Sequence, residues 1–88
     1  MNVFTFHTDP GHGWLEVPMS LLRDLGIADK ISSYSYMRGD SAYLEEDCDA
    51  GLFVRAFLER FGSRPDHTEA YTHNAPMRSY RRYSAPQQ

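Results

Sequence analysis

Two imidazoles and a carboxylate fall within six residues in His7-Thr8-Asp9-Pro10-Gly11-His12. Imidazole titrates near neutral pH and is a common metal ligand, so this cluster suits proton transfer or a divalent ion. His67, His73 and Cys48 could complete a ligand set after folding, although no spacing here follows a recognised zinc pattern. The competing reading is a tight turn. Pro10 presets φ, Gly11 permits positive φ, and the Asp9 side chain can bond to nearby backbone N–H groups.

A second cluster is Glu45-Glu46-Asp47-Cys48-Asp49. Extended backbone would turn Glu45 and Asp47 to one side and Glu46 to the other. Neighbouring carboxylates can do acid–base work if one pKa is raised, and they can equally present an acidic docking surface. They also favour the start of a helix, with Asp47 or Asp49 as the N-cap. Cys48 sits between acids with no basic neighbour in sequence, which argues against a reactive thiolate. The third cluster, Arg78-Ser79-Tyr80-Arg81-Arg82-Tyr83, interleaves the two residue types most enriched at interface hot spots, and both also stack on bases. The alternative is a tail folded back on an acidic body.

Charge separates these clusters. The 88 residues carry nine Lys and Arg against twelve Asp and Glu, a net charge of −3. All the acids precede residue 74, whereas Arg78, Arg81 and Arg82 lie in an acid-free end. An acidic body repels phosphate, so general DNA binding by the body is not expected. A single cysteine allows no internal disulfide and fits a cytoplasmic setting. No apolar run approaches the roughly 20 residues of a membrane span, and the first residues carry no secretory leader pattern. No cofactor motif is present.

The elements that must position these residues follow from local patterns. Residues 2–7 alternate β-branched and aromatic side chains and read as a strand, hairpinned to a second strand over 14–17. Pro18 opens a two-turn helix carrying Met19, Leu21, Leu22 and Leu25, stopped by Gly26. Residues 33–46 form a second hairpin turning at Arg38-Gly39-Asp40-Ser41, and the Arg-Gly-Asp string is read as that turn rather than an adhesion motif. Phe53, Phe57 and Phe61, four apart, place a core stripe on a helix over 50–61, ended by Gly62. Residues 67–73 allow a last strand. Trp14, Tyr34, Tyr36 and Tyr43 suggest an aromatic sheet face. The order β-β-α-β-β-α-β implies an α+β fold, a mainly antiparallel sheet with both helices on one face and room for one parallel pair. One domain over 1–76 and a basic, flexible tail over 77–88 are expected.

Two strings, His7-Thr8-Asp9-Pro10-Gly11-His12-Gly13-Trp14-Leu15 and Tyr43-Leu44-Glu45-Glu46-Asp47-Cys48-Asp49, flank Ile31-Ser32-Ser33-Tyr34-Ser35-Tyr36. Together they resemble a group of small uncharacterised proteins encoded by tailed phages, plasmids and their bacterial hosts. The resemblance covers roughly residues 4–58, implies a bacterial cytoplasmic setting and supplies no catalytic residues. By analogy, small phage proteins often block host defence complexes, anti-CRISPR proteins among them.

The expectation is therefore a non-enzymatic module that binds a host protein or defence ribonucleoprotein. Glu45, Glu46, Asp47 and Asp49 would meet a basic surface, while Arg78, Tyr80, Arg81 and Arg82 anchor elsewhere. An edge strand or the tyrosine face would support a homodimer. The alternatives are a small metal-dependent or acid–base enzyme built on His7, Asp9, His12 and the acidic string, and nucleic-acid binding through the Arg/Tyr segment.

Overall fold

In the computed structural model, which describes residues 3–85, alternation in the first segment sends Phe4 toward the core as β1 (Val3–Thr8). β1 turns at Asp9-Pro10-Gly11 into β2 (Gly13–Pro18), with His7 opposite Trp14 and Phe6 opposite Leu15. A Cβ at Gly13 would stand 2.5 Å from the Phe6 ring, so any larger residue there would have to displace that ring. Pro18 closes β2 in extended conformation rather than starting the helix, and α1 is Met19–Asp24. Gly26 then takes φ 73°, as a helix stop requires.

A short 3-10 turn at Ala28–Lys30 leads to the second hairpin, β3 (Tyr36–Arg38) and β4 (Ser41–Glu45). Gly39, at φ 58°, makes its turn. Tyr34 precedes the hairpin and is exposed rather than part of the strand. α2 (Asp49–Phe61) ends at Gly62 with φ 81°, and β5 (Asp66–Tyr71) follows. The six strands lie in the order β5-β1-β2-β4-β3-β6, where β6 (Arg81–Arg82) comes from the C-terminal segment. All pairs are antiparallel except β1 with β5. The class is α+β, as expected. The single parallel pair sets the fifth strand beside the first, because the β4–α2–β5 crossover passes over β2 and β1.

Period-2 patterning gives the sheet two covered faces. On one, Phe4, Leu15, Val17 and Leu44 pack against Met19 and Leu22 of α1 and Phe53 and Phe57 of α2. Phe4 meets Phe53 and Phe57 edge-on at 5.4 and 5.8 Å. Phe61 departs from the expected stripe: its ring lies tilted against Phe57 at 4.7 Å but is half exposed, because α2 runs past the core before Gly62 stops it. On the opposite face Trp14 and Tyr43 are buried under Ala75 and Met77.

The expected flexible tail is corrected at residues 77–83. Met77 is buried in a second 3-10 turn, Pro76–Ser79, and β6 pairs with β3. Tyr83 is buried too, and its hydroxyl donates to the Ala28 carbonyl at 2.5 Å. Apolar burial on both faces of the sheet holds this segment, so the domain does not stop at residue 76. Residues 86–88 lie outside the described residues.

Asp49 is also corrected. It is 2% exposed and belongs to the interior, not to an acidic surface. Its Oδ2 accepts from the Ser32 N–H at 3.1 Å, the Ser32 hydroxyl at 2.7 Å and the Ser35 hydroxyl at 2.6 Å. Ser35 Oγ in turn accepts from the Glu45 N–H at 2.9 Å. The N-cap position is Cys48, whose side chain makes no capping bond. Asp49 instead ties the first turn of α2 to the loop before β3 and, through Ser35, to the end of β4. Asp49→Ala strands three donors around one buried carboxylate site, at a cost of about 3 kcal/mol. Thermal unfolding followed by circular dichroism should show a loss of roughly 15 °C in Tm.

Candidate functional site

The turn after β1 is built on Asp9. Its Oδ1 accepts from the backbone N–H groups of Gly11 and His12, both at 2.9 Å. The same carboxylate receives Arg78 through two N–H groups, Nε to Oδ2 at 2.7 Å and Nη2 to Oδ1 at 3.0 Å. The Ala75 N–H adds a longer contact to Oδ2 at 3.4 Å. This side chain is 4% exposed. The Arg78 guanidinium, helped by the backbone donors, holds the Asp9 carboxyl well below the usual carboxylate range against the opposing effect of burial. Asp9 is a carboxylate with every lone-pair direction in use.

The other members of the first cluster face elsewhere. His7 Nε2 lies 2.8 Å from Glu16 Oε1, and its ring is near Tyr43. His12 packs beside Trp14 with ring centroids 5.9 Å apart. His7, Asp9 and His12 therefore share a turn but no common target. Among the described residues, no three His, Cys, Asp or Glu side chains come together as an ion would require.

What the fold does bring together is part of each cluster, Glu45 and Asp47 of the acidic string and Arg78 and Arg82 of the C-terminal arginines. Both line one open cleft of about 500 Å³. Trp14, Tyr34 and Tyr36 supply its aromatic walls, and Glu45, Asp47, Arg78 and Arg82 its charges. His12 and the exposed Cys48 complete the lining. Glu45 and Asp47 both reach the cleft, and the Asp47 N–H donates to Glu45 Oε2 at 2.9 Å. Glu46 is exposed outside it.

The arginines are not free anchors. The Arg78 guanidinium stands 5.0 Å from the centre of the Trp14 ring while paired to Asp9, and Arg82 stands 5.6 Å from that of Tyr36 while donating to the Ser33 carbonyl at 3.0 Å. Both brace aromatic walls. Tyr80 is half-buried against Tyr43 at 5.1 Å, with Arg38 packed on it. Arg81 lies on the opposite sheet face, near the Met37 sulfur and away from the cleft. Of the expected separate anchor, Arg78 and Arg82 are thus a wall of the same cleft, while Tyr80 and Arg81 are not part of it. Burial first, then the Glu16 carboxylate, raises the Tyr43 phenol pKa, so that ring stays neutral beneath the arm.

The cleft was only half visible in the sequence. Trp14 and Tyr36 were recognisable from alternation, and the acids from composition, whereas Tyr34 reaches the cleft from the turn before β3. The Asp9–Arg78 pair spans 69 positions and carried no local signal.

Fold and site together define a small α+β domain whose C-terminal arm clamps one sheet face and leaves an open, aromatic, mixed-charge cleft. No protein-family model matches the chain, and no curated protein or solved structure is significantly similar to it. Among the described residues, no helix is long and apolar enough to cross a membrane.

The ion pair sets an acid dependence. The native-state Asp9 pKa lies below its unfolded value of about 3.9, so its contribution is complete above that pH. It is lost as pH falls through the lower native value. Urea titrations of wild type and Asp9→Asn should differ most above about pH 4 and converge in stronger acid.

Proposed function

We propose that the chain is a non-enzymatic protein-binding module whose docking site is this cleft. The observation that carries the reading is the convergence of Glu45 and Asp47 with Trp14, Tyr34 and Tyr36 around one open volume. Arg78 is already neutralised by Asp9, so the two acids outnumber Arg82, which pairs with the Ser33 carbonyl rather than a carboxylate, and the charge facing an occupant is negative. Carboxylates beside aromatic faces suit an arginine or lysine side chain, which gains both an ion pair and a cation–π contact. The partner is a basic protein surface.

The resemblance to small phage- and plasmid-encoded proteins supports a finer version of this reading. The basic surface would belong to a host defence complex in the bacterial cytoplasm, where it normally holds nucleic acid or a protein subunit. Occupying it would inhibit that complex in the manner of an anti-CRISPR protein. An acid–base or metal enzyme is less well supported, because Asp9 is saturated and His7 is paired with Glu16. Nucleic-acid binding through the C-terminal segment is also less well supported, since Arg78 and Arg82 are engaged within the fold.

Trp14 is the only tryptophan and lines the cleft, so its fluorescence reports occupancy. Titration with a short arginine- and lysine-rich peptide at low salt should saturate, and an acidic peptide of equal length should not bind. Glu45→Lys, Glu46→Lys and Asp47→Lys together, with Asp49 kept, should weaken the basic peptide about tenfold or more. Equal binding by this triple variant would contradict the proposal. A pull-down from bacterial lysate comparing the two chains would then identify the partner lost on reversal.

A further inference from the structure

The two edges of the sheet are unequal. β6 is two residues long and consists of Arg81 and Arg82, so pairing it with a second copy would oppose like charges. β5 is six residues long and almost wholly exposed. Its pairing with β1 fixes which backbone groups point outward. The Thr72 N–H donates to the Thr8 carbonyl at 2.9 Å, and partners run from Val3 with Asp66 to Thr8 with Tyr71. Backbone groups alternate sides along a strand. Asp66, Thr68 and Ala70 therefore face β1, while the N–H and C=O groups of His67, Glu69 and Tyr71 face away from the sheet.

We infer that β5 pairs antiparallel with β5 of a second copy of this chain, joining two six-stranded sheets across a two-fold axis at Thr68. Only registers that oppose outward-facing residues can form the ladder, and side-chain chemistry chooses among them. An axis at Glu69 would oppose two carboxylates. An axis at Ala70 would oppose His67 to His73 of the partner subunit. An axis at His67 would oppose two imidazoles and set Pro65, which has no N–H, opposite Glu69 next to the centre of the ladder. An axis at Tyr71 would match no other β5 residue within the strand. The axis at Thr68 sets His67 opposite Glu69 of the partner subunit, twice by symmetry, with the two threonines facing each other at the centre; Pro65 then falls opposite Tyr71 at the two ends, just outside β5, where the ladder stops.

Both members of that pair lie on the helix-side face. His67 is registered with Phe4 and packs edge-on against Phe6 at 6.1 Å, and Glu69 is registered with Phe6. The imidazole can donate to the carboxylate in either protonation state. Opposite-charge and Thr–Thr pairs are the favourable cross-strand combinations in antiparallel sheets. One strand pair is a small interface, so the dimer is weak and reversible. It also gives the long edge a defined partner. The cleft sits between β2 and β6, toward the other end of the sheet, so this assembly leaves it open.

Sedimentation equilibrium of the full chain, carried to about 1 mM to reach the weak range, should show reversible monomer–dimer exchange. Glu69→Pro removes an N–H that faces away from β1 and should abolish the dimer with little change in circular dichroism. His67→Glu should weaken it at least tenfold by opposing two carboxylates. The exchanged pair His67→Glu with Glu69→His should restore it. A monomer at every concentration, a dimer indifferent to His67→Glu, or no rescue by the exchanged pair would overturn the inference. The exchanged pair decides the matter if the proline variant fails to fold.

Discussion

The fold closes on one carboxylate. Asp9 terminates the first strand, shapes the turn that creates the first hairpin, and receives the arginine that fastens the last segment. A carboxylate this sheltered is unfavourable unless its acceptor capacity is filled. Turn N–H groups fill part of it, and Arg78 supplies the charge. The pairing has a mechanical consequence. Arg78 is brought over the Trp14 ring, and Met77 beside it is pressed onto the aromatic face. Without the clamp, Trp14 and Tyr43 would face water across a sheet that has helices on its other side only.

Polar accounting elsewhere follows the same logic. Among the described residues, every buried side-chain nitrogen or oxygen has a hydrogen-bond partner. Asp49 does for the start of α2 what Asp9 does for the first turn, with hydroxyls of Ser32 and Ser35 in place of a guanidinium. A chain of 88 residues has little apolar surface to bury, so two satisfied interior carboxylates that join distant segments help to specify one arrangement of the sheet. The cleft is a by-product of both. Asp49 positions the segment that carries Tyr34 and Tyr36, and Asp9 positions Arg78.

The local half of this structure was legible in the sequence. Both hairpins, both helices and the glycine stops follow from periodicity and turn chemistry that act over a few residues. Glu45 and Asp47 do reach the cleft while Glu46 does not, but a turn over residues 46–48 rather than the expected extended backbone brings this about. What was missed depends on contacts across the chain. Arg-Tyr-rich composition at a terminus reads as a solvated tail, yet Met77 and Tyr83 bury apolar area that only the assembled sheet offers. Asp49 reads as one more surface acid, because the serines that receive it lie 14 and 17 positions away. The arginines read as outward anchors because the acid that holds Arg78 is in the first turn.

The central claim is that the Asp9–Arg78 clamp shields the aromatic face and builds the cleft wall. The most direct test is acrylamide quenching of the sole tryptophan, Trp14, in wild type and Arg78→Ala at neutral pH. The clamp predicts red-shifted emission and stronger quenching in the variant while the far-UV spectrum keeps its sheet and helix signal. Emission and quenching unchanged in a folded Arg78→Ala chain would show that Trp14 is covered without the clamp, and would contradict the account.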